Sequence, residues 1–209
     1  MTADTDIAIV GGGLAGTIAA IALARTGARV TLIDRNAVPP DEFRVEKLGG
    51  MQLESLERLG LLDLLAAHST RFDQSLNIRH GRIVDRTNAR YQAAFYADMV
   101  KTMRSALPGG VRTVIGRVTE LATGAELQQL TIAEHGTLGA RLVVLASGMS
   151  DLLRARLGIT REGLHERQSL TFGFNLRPRD GIAAHPALTV YGERPRDGID
   201  SLTLFPIGG

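Results

Sequence analysis

The 209-residue sequence has no cysteine and no tryptophan, and only two lysines, Lys47 and Lys101. Without cysteine there is no disulfide framework, no thiolate nucleophile and no Cys-ligated zinc. The redox compartment is not legible from cysteine usage. Net charge is also scarce: 24 Lys+Arg against 22 Asp+Glu leave +2, too near neutrality to argue for nucleic acid or an anionic membrane as a partner. The cations are almost all arginine, which we read as composition first and as bidentate anion contact only at particular positions.

Chemistry-bearing clusters are equally sparse. His68, His80, His135, His165 and His185 show no metal-ligand spacing, so no metal site is expected. Ser147 and Ser150 lack the G-x-S-x-G elbow of a hydrolase. Glu54 and Glu57 fall three apart on one helix and read as a solvated face. No catalytic side chain stands out. The 44% hydrophobic and 22% charged fractions are those of a globular chain, with room for one large or two small domains. The longest uncharged stretch, Ile7 to Ala24, holds Gly11, Gly12, Gly13 and Gly16, which would break a spanning helix, and Asp4 and Asp6 precede it where a signal peptide has basic residues. It reads as a buried strand followed by a buried helix, in a cytoplasmic protein.

What is present begins with that stretch. Asp6 to Val10 is an apolar run ended by glycines, Leu14 to Thr26 is rich in helix formers with Gly27 as a C-terminal cap, and Arg29 to Ile33 is a β-branched run ending at Asp34. The three make a βαβ unit with parallel strands and a right-handed crossover. A polar link follows Pro39-Pro40; Met51 to Ala67 reads as helix interrupted at Gly60, and Ser75 to Arg90 as a hairpin outside the main sheet. Phe95, Met99, Met103 and Leu107 recur every four residues, an amphipathic helix stopped by Pro108-Gly109-Gly110. Val111 to Leu121, Glu126 to Glu134 and Leu138 to Ala146 read as consecutive strands with a turn at His135-Gly136, and Ser150 to Leu157 as a short helix. From Gln168 the chain alternates as a strand-rich second domain would, with Phe172, Phe174 and Tyr191 as core candidates.

Gly11, Gly13 and Gly16 spell G-x-G-x-x-G between the first strand and the first helix, and Asp34 follows about twenty residues on at the end of the next strand. Gly11 permits the turn, Gly13 lets backbone approach a pyrophosphate, and Gly16 lets the helix pack on the strand, with Leu14 and Ala15 opening a helix whose N-terminus faces the phosphates. Asp34 would accept hydrogen bonds from the adenosine ribose and repel a 2′-phosphate. This fingerprint fits FAD and NAD alike.

The phrase FRVEKLGGMQLESLERLGLLD, together with Asp34-Arg35 and Arg44, resembles the N-terminal region of FAD-dependent monooxygenases of the aromatic-hydroxylase (p-hydroxybenzoate hydroxylase-like) type, in the glutathione-reductase-like flavoprotein superfamily. That resemblance implies an FAD contact at Arg44, a stacking or outward role for Arg35, and an adenine contact through the backbone of Val118 in Arg117-Val118-Thr-Glu-Leu121. It also places a strand end near the cofactor at Leu142-Val-Val-Leu-Ala-Ser-Gly148, where Gly148 would bind. There the family has Ala-Asp-Gly, with the aspartate linked to FAD and to the nicotinamide donor; this chain has Ser147, so FAD binding is implied and direct NAD(P)H use is left open.

The implied fold is α/β: a Rossmann-type FAD-binding domain with a parallel sheet and an antiparallel three-stranded meander (1-72 and 94-160), plus a partial, strand-rich substrate domain (73-93 and 161-209). The implied activity is hydroxylation of a small aromatic or polyketide-like substrate, with O₂ as co-substrate and a flavin hydroperoxide as oxygen donor. A flavin-dependent C=C reductase, a halogenase and a non-catalytic FAD- or NAD-binding fragment stay open beside it. No Gly-Asp motif follows Gly148, so the chain reads as a piece of a longer protein. Substrate identity and oligomeric state are not encoded in any motif.

Overall fold

The computed structural model describes residues 2–163, 170–181, 186–192, 196 and 198–207. Among them the elements run β1 (Thr5–Val10), α1 (Leu14–Ala24), β2 (Val30–Asp34), β3 (Val45–Gly49), α2 (Met51–Arg58), α3 (Leu62–Ala66), β4 (Thr70–Arg79) and β5 (Arg82–Phe95). They continue α4 (Tyr96–Ser105), β6 (Arg112–Ile115), β7 (Val118–Ala122), β8 (Gln128–Ile132), β9 (Gly136–Leu145), α5 (Leu152–Arg156), β10 (Leu188–Tyr191) and β11 (Leu202–Leu204). No helix of the described residues is long and apolar enough to cross a membrane. His165 and His185 lie outside the described residues.

By internal contacts the chain divides into two units, Met1–Asp41 with Val100–Glu166, and Glu42–Met99 with Arg167–Gly209. The first holds a six-stranded sheet in the order β6-β2-β1-β9-β8-β7. Strands β6, β2, β1 and β9 are parallel, and β9, β8 and β7 form an antiparallel meander. This is the expected Rossmann-type α/β sheet with its meander. Ala8, Ile33, Leu130, Ile132 and Ala140 pack one apolar cluster, and Ile9, Ala20, Val30 and Leu32 another. The near-continuous apolar character of β1 and β2 follows from their central place in a parallel sheet, where both faces are covered.

The second unit holds a five-stranded sheet in the order β11-β10-β4-β5-β3. Its long β4–β5 hairpin is the one expected outside the main sheet. Two corrections concern strands. The segment Val111 to Leu121 is not one strand: Gly116-Arg117 breaks it, sending β6 into parallel pairing with β2 and β7 into antiparallel pairing with β8. The polar link after Pro39-Pro40 contains β3, which pairs with β5 from Val45↔Phe95 to Gly49↔Tyr91. A third correction concerns Phe172 and Phe174, which lie on irregular chain and are exposed rather than packed in a core. Tyr191 does lie on a strand, β10, but it too is exposed rather than packed in a core.

Two helices stop in the same way. After α2, Gly60 donates its N–H to Glu57 and Leu61 to Leu56; after α5, Gly158 donates to Ala155 and Ile159 to Arg154. This is the Schellman pattern, and both glycines have the positive φ it needs, +61° and +73°. The Leu-Gly-Leu and Leu-Gly-Ile phrases are helix stops.

Candidate nucleotide-binding site

Because β1, β2, β6 and β9 are parallel, their C-terminal ends share one edge of the first unit's sheet, the edge where open α/β sheets bind ligands. Gly11 follows β1, Arg35 follows β2, Gly116 follows β6, and Ala146 to Gly148 follow β9. Backbone hydrogen bonds carry the ladder one residue past the strands: Gly11 N–H donates to Ile33 O, Gly116 N–H to Asp34 O and Ala146 N–H to Val10 O, each at 2.8 Å.

Each glycine of the turn has a separate steric reason. Gly11 has φ +113°, and a Cβ there would stand 2.3 Å from the Ala146 carbonyl oxygen. A Cβ on Gly16 would stand 1.9 Å from the Gly11 carbonyl oxygen. These positions admit no side chain. Gly13 caps α1 in extended conformation with no side-chain hydrogen bond, and the first turn of α1 holds no acidic residue. The positive end of the helix therefore meets no counter-charge from its own first turn. Thr17 braces the loop from within the helix, its buried Oγ1 donating to Gly12 O at 3.2 Å.

Asp34 sits at the end of β2 with its side chain 16% exposed. Its Oδ2 accepts the Gly12 N–H at 2.5 Å and its Oδ1 the Asn36 N–H at 2.8 Å. Sequence reasoning gave no role to Arg104, near the end of α4, yet its side chain is only 17% exposed. Its Nε donates to Gly12 O at 2.8 Å, its Nη1 to Asn36 O at 2.9 Å and Ala37 O at 3.1 Å, and its Nη2 lies 3.4 Å from Asp34 Oδ1. An arginine in the last turn of a helix reads as a partner for the helix dipole, so its long-range contacts leave no local signal.

Beside Asp34 an open concavity of about 560 Å³ is lined by Arg35, Asn36, Ile115, Gly116, Arg117, Ala133 and Glu134. Two arginines, Arg35 and Arg117, and one acid, Glu134, border it. Of these residues only Arg35 was singled out from the sequence. Val118 follows the lining residue Arg117 and is buried in the core cluster of the meander. Gly148 has φ +60° with open space on its Cβ side, and its carbonyl accepts from Arg154 at 3.1 Å. Ser147 donates its hydroxyl to Ser150 O at 3.3 Å.

The structure thus gathers Gly11, Gly13, Leu14, Ala15, Gly16, Asp34, Arg35 and Gly148 along one sheet edge. Arg44 belongs to the second unit, where it pairs with Glu46 and lies over the Tyr96 ring, 4.2 Å from its centroid.

A family model described as an FAD binding domain matches residues 4–199. The chain belongs to that family. FAD is accordingly its cofactor, and the glycine turn, uncapped helix and acidic strand end suit the ADP half of FAD. Among curated relatives, aklavinone 12-hydroxylase DnrF of Streptomyces peucetius is 27% identical over 199 residues, covering 77% of this chain and 39% of its own. The 3-amino-4-hydroxybenzoate 2-monooxygenase PtnB3 of Streptomyces platensis is 29% identical over 163 residues, covering 72% of this chain and 41% of its own. The chain spans about two-fifths of the length of these relatives. A mutant of PqsL from P. aeruginosa superposes with a TM-score of 0.71 at 17% identity, covering 90% of this chain and 54% of that one; this is a likeness of fold.

Proposed function

We propose that this FAD-binding chain serves a monooxygenase that hydroxylates a small aromatic or polyketide-like molecule, with O₂ as co-substrate. The observation that carries the reading is the meeting, at one sheet edge, of the uncapped α1 N-terminus, the Asp34 carboxylate and the concavity beside it. The printed activities of two relatives, a hydroxylase and a monooxygenase, supply the reaction class.

FAD, when bound, supplies the redox chemistry and the activation of O₂. The residues of this chain hold it. Backbone N–H groups at the start of α1, around Ala15 and Gly16, would face the pyrophosphate, and Gly13 would leave room for it. Asp34 accepts a ribose hydroxyl, and the concavity with Arg35 and the backbone before Val118 takes the adenine. Gly148 leaves space at the end of β9 for the rest of the cofactor, while Arg44 keeps only the FAD contact that the family resemblance implies. Ser147, standing where the resemblance places an aspartate, offers a hydroxyl in place of a charge, so an NAD(P)H donor would dock without a carboxylate there.

The test is flavin uptake. A titration of the purified chain with FAD, followed by the change in flavin fluorescence or absorbance, reads binding. Saturable binding, competed by ADP, is expected; a chain that neither takes up FAD nor binds ADP overturns the reading.

A further inference from the structure

The fingerprint accounts for three glycines of the turn, but this chain has a fourth, Gly12, at a position where the motif allows any residue. A Cβ on Gly12 would stand 2.8 Å from Arg104 Nη2 and 3.1 Å from Asp34 Cβ. Gly12 lies against the Arg104–Asp34 pair, and both of its backbone polar groups are used there: its N–H by Asp34 and its C=O by Arg104. The guanidinium thereby joins three pieces of chain, the glycine turn, the acidic end of β2 and the Asn36-Ala37 segment.

We infer that Arg104 is a positioning residue of the nucleotide site, setting how Asp34 reads the ribose. An ionised carboxylate has about four acceptor positions. In Asp34 two are taken by hydrogen bonds, Gly12 N–H to Oδ2 and Asn36 N–H to Oδ1, and the Arg104 guanidinium stands 3.4 Å from Oδ1 as an ion pair. With Oδ1 flanked by both Asn36 and Arg104, Oδ2 is the less encumbered oxygen, so Asp34 reads one ribose hydroxyl more strongly than the other, in an orientation held by these three partners. Arg104 also fixes the Gly12 carbonyl, which stands next to the Gly13 N-cap of α1, so the same side chain ties the phosphate end of the site to its ribose end. Arginine suits this place because its planar fork spans separate acceptors at once; a lysine ammonium reaches one or two.

The inference rests on the adenine-nucleotide reading above, and its test separates the two. The probes are ADP, 2′-deoxy-ADP and 3′-deoxy-ADP, titrated by calorimetry against the wild-type chain, Arg104→Met and Arg104→Lys. In the wild type, one of the two deoxy compounds should bind roughly tenfold or more weakly than ADP while the other stays within about threefold, the mark of one charged hydrogen bond. Arg104→Met should lose roughly tenfold in ADP affinity and, more tellingly, lose the difference between the two deoxy compounds. A purely structural role would lower the melting temperature without flattening that difference. Arg104→Lys covers the case in which the methionine variant does not fold: it should bind ADP more weakly with a reduced difference. Equal penalties for both deoxy compounds in the wild type, or a preserved difference and affinity in the folded variants, overturns the inference while ADP binding itself stands. No ADP binding by the wild type removes the nucleotide reading first.

Discussion

The Cα hydrogen of Gly16 points at the Gly11 carbonyl so closely that a methyl group in its place would lie 1.9 Å from that oxygen. Both atoms are backbone-anchored, so neither can swing aside. Gly16→Ala should cost about 3 kcal/mol, at the upper end of overpacking changes, because α1 must lift from the end of β1. Urea denaturation of the variant checks the stability and FAD titration checks the site. Wild-type stability would show that the helix can shift without cost.

Asp34→Ala removes the acceptor for Gly12 and Asn36 as well as the proposed ribose contact. ADP and FAD affinity should fall by roughly 10- to 100-fold, the value of one hydrogen bond to a charge. FMN, which lacks the adenosine, should be unaffected by the change. Parallel titrations with FAD and FMN decide it, and an equal loss for both would move Asp34 away from the ribose.

The meander has its own anchor in Leu130, fully buried on β8 among Val118, Ile132 and Leu138. Leu130→Ala should destabilise the first unit by about 3 kcal/mol, transfer and cavity terms together. The midpoint of chemical unfolding measures this, and a change below about 1 kcal/mol would mean the meander collapses around the gap.

At the other end of β1, Arg29 hydrogen-bonds the Asp6 side chain and holds its carboxyl below the usual carboxylate range. A lowered pKa stabilises the fold above the pH at which the unfolded carboxylate titrates, and that contribution disappears as pH falls through the folded value. Asp6→Asn should therefore be less stable than wild type at pH 7 and indistinguishable from it near pH 2. Denaturation at pH 7, 4 and 2 follows the gap; a gap independent of pH would assign the effect to packing. The pair is exposed, so the gap is small.

The βαβ opening was legible because its signals are local: an apolar run, glycines at fixed offsets, a helix of good formers and an acid at the next strand's end. The split at Gly116 was not, since alternation in Val111 to Leu121 cannot tell a parallel neighbour from an antiparallel one. What enforces the break is distant, for a Cβ on Gly116 would meet the Ile132 side chain at 2.7 Å. β3 was hidden for the same reason; five residues carrying Glu46 and Lys47 look like loop until β5 pairs with them. The alternation at Phe172 and Phe174 erred in the opposite direction, promising a strand where the chain is irregular. Of the site, the glycine turn and Asp34 could be read, while Arg104 and the Gly116 to Arg117 lining come from chain that is remote in sequence. The Leu59-Gly60-Leu61 part of the phrase that carried the family resemblance turns out to be a helix stop, as does Leu157-Gly158-Ile159, so both support the fold and say nothing of the flavin.

The placing of β9 beside β1 has a consequence for biosynthesis. Asp4, at the edge of β1, bonds Gly139 across 135 residues of sequence, and the bed of Gly11 is the carbonyl of Ala146. At a ribosomal rate of ~5–20 residues per second, β1 leaves the tunnel about 7–27 s before the strand that seals it. The α1 crossover lets β2 cover one side of β1 at once; the other side stays an unpaired apolar edge for that whole interval. The glycine turn, translated before the rest of its sheet, is thus among the last parts of that sheet to set, and the nascent chain offers a chaperone or a wrong strand an open edge beside the proposed cofactor site.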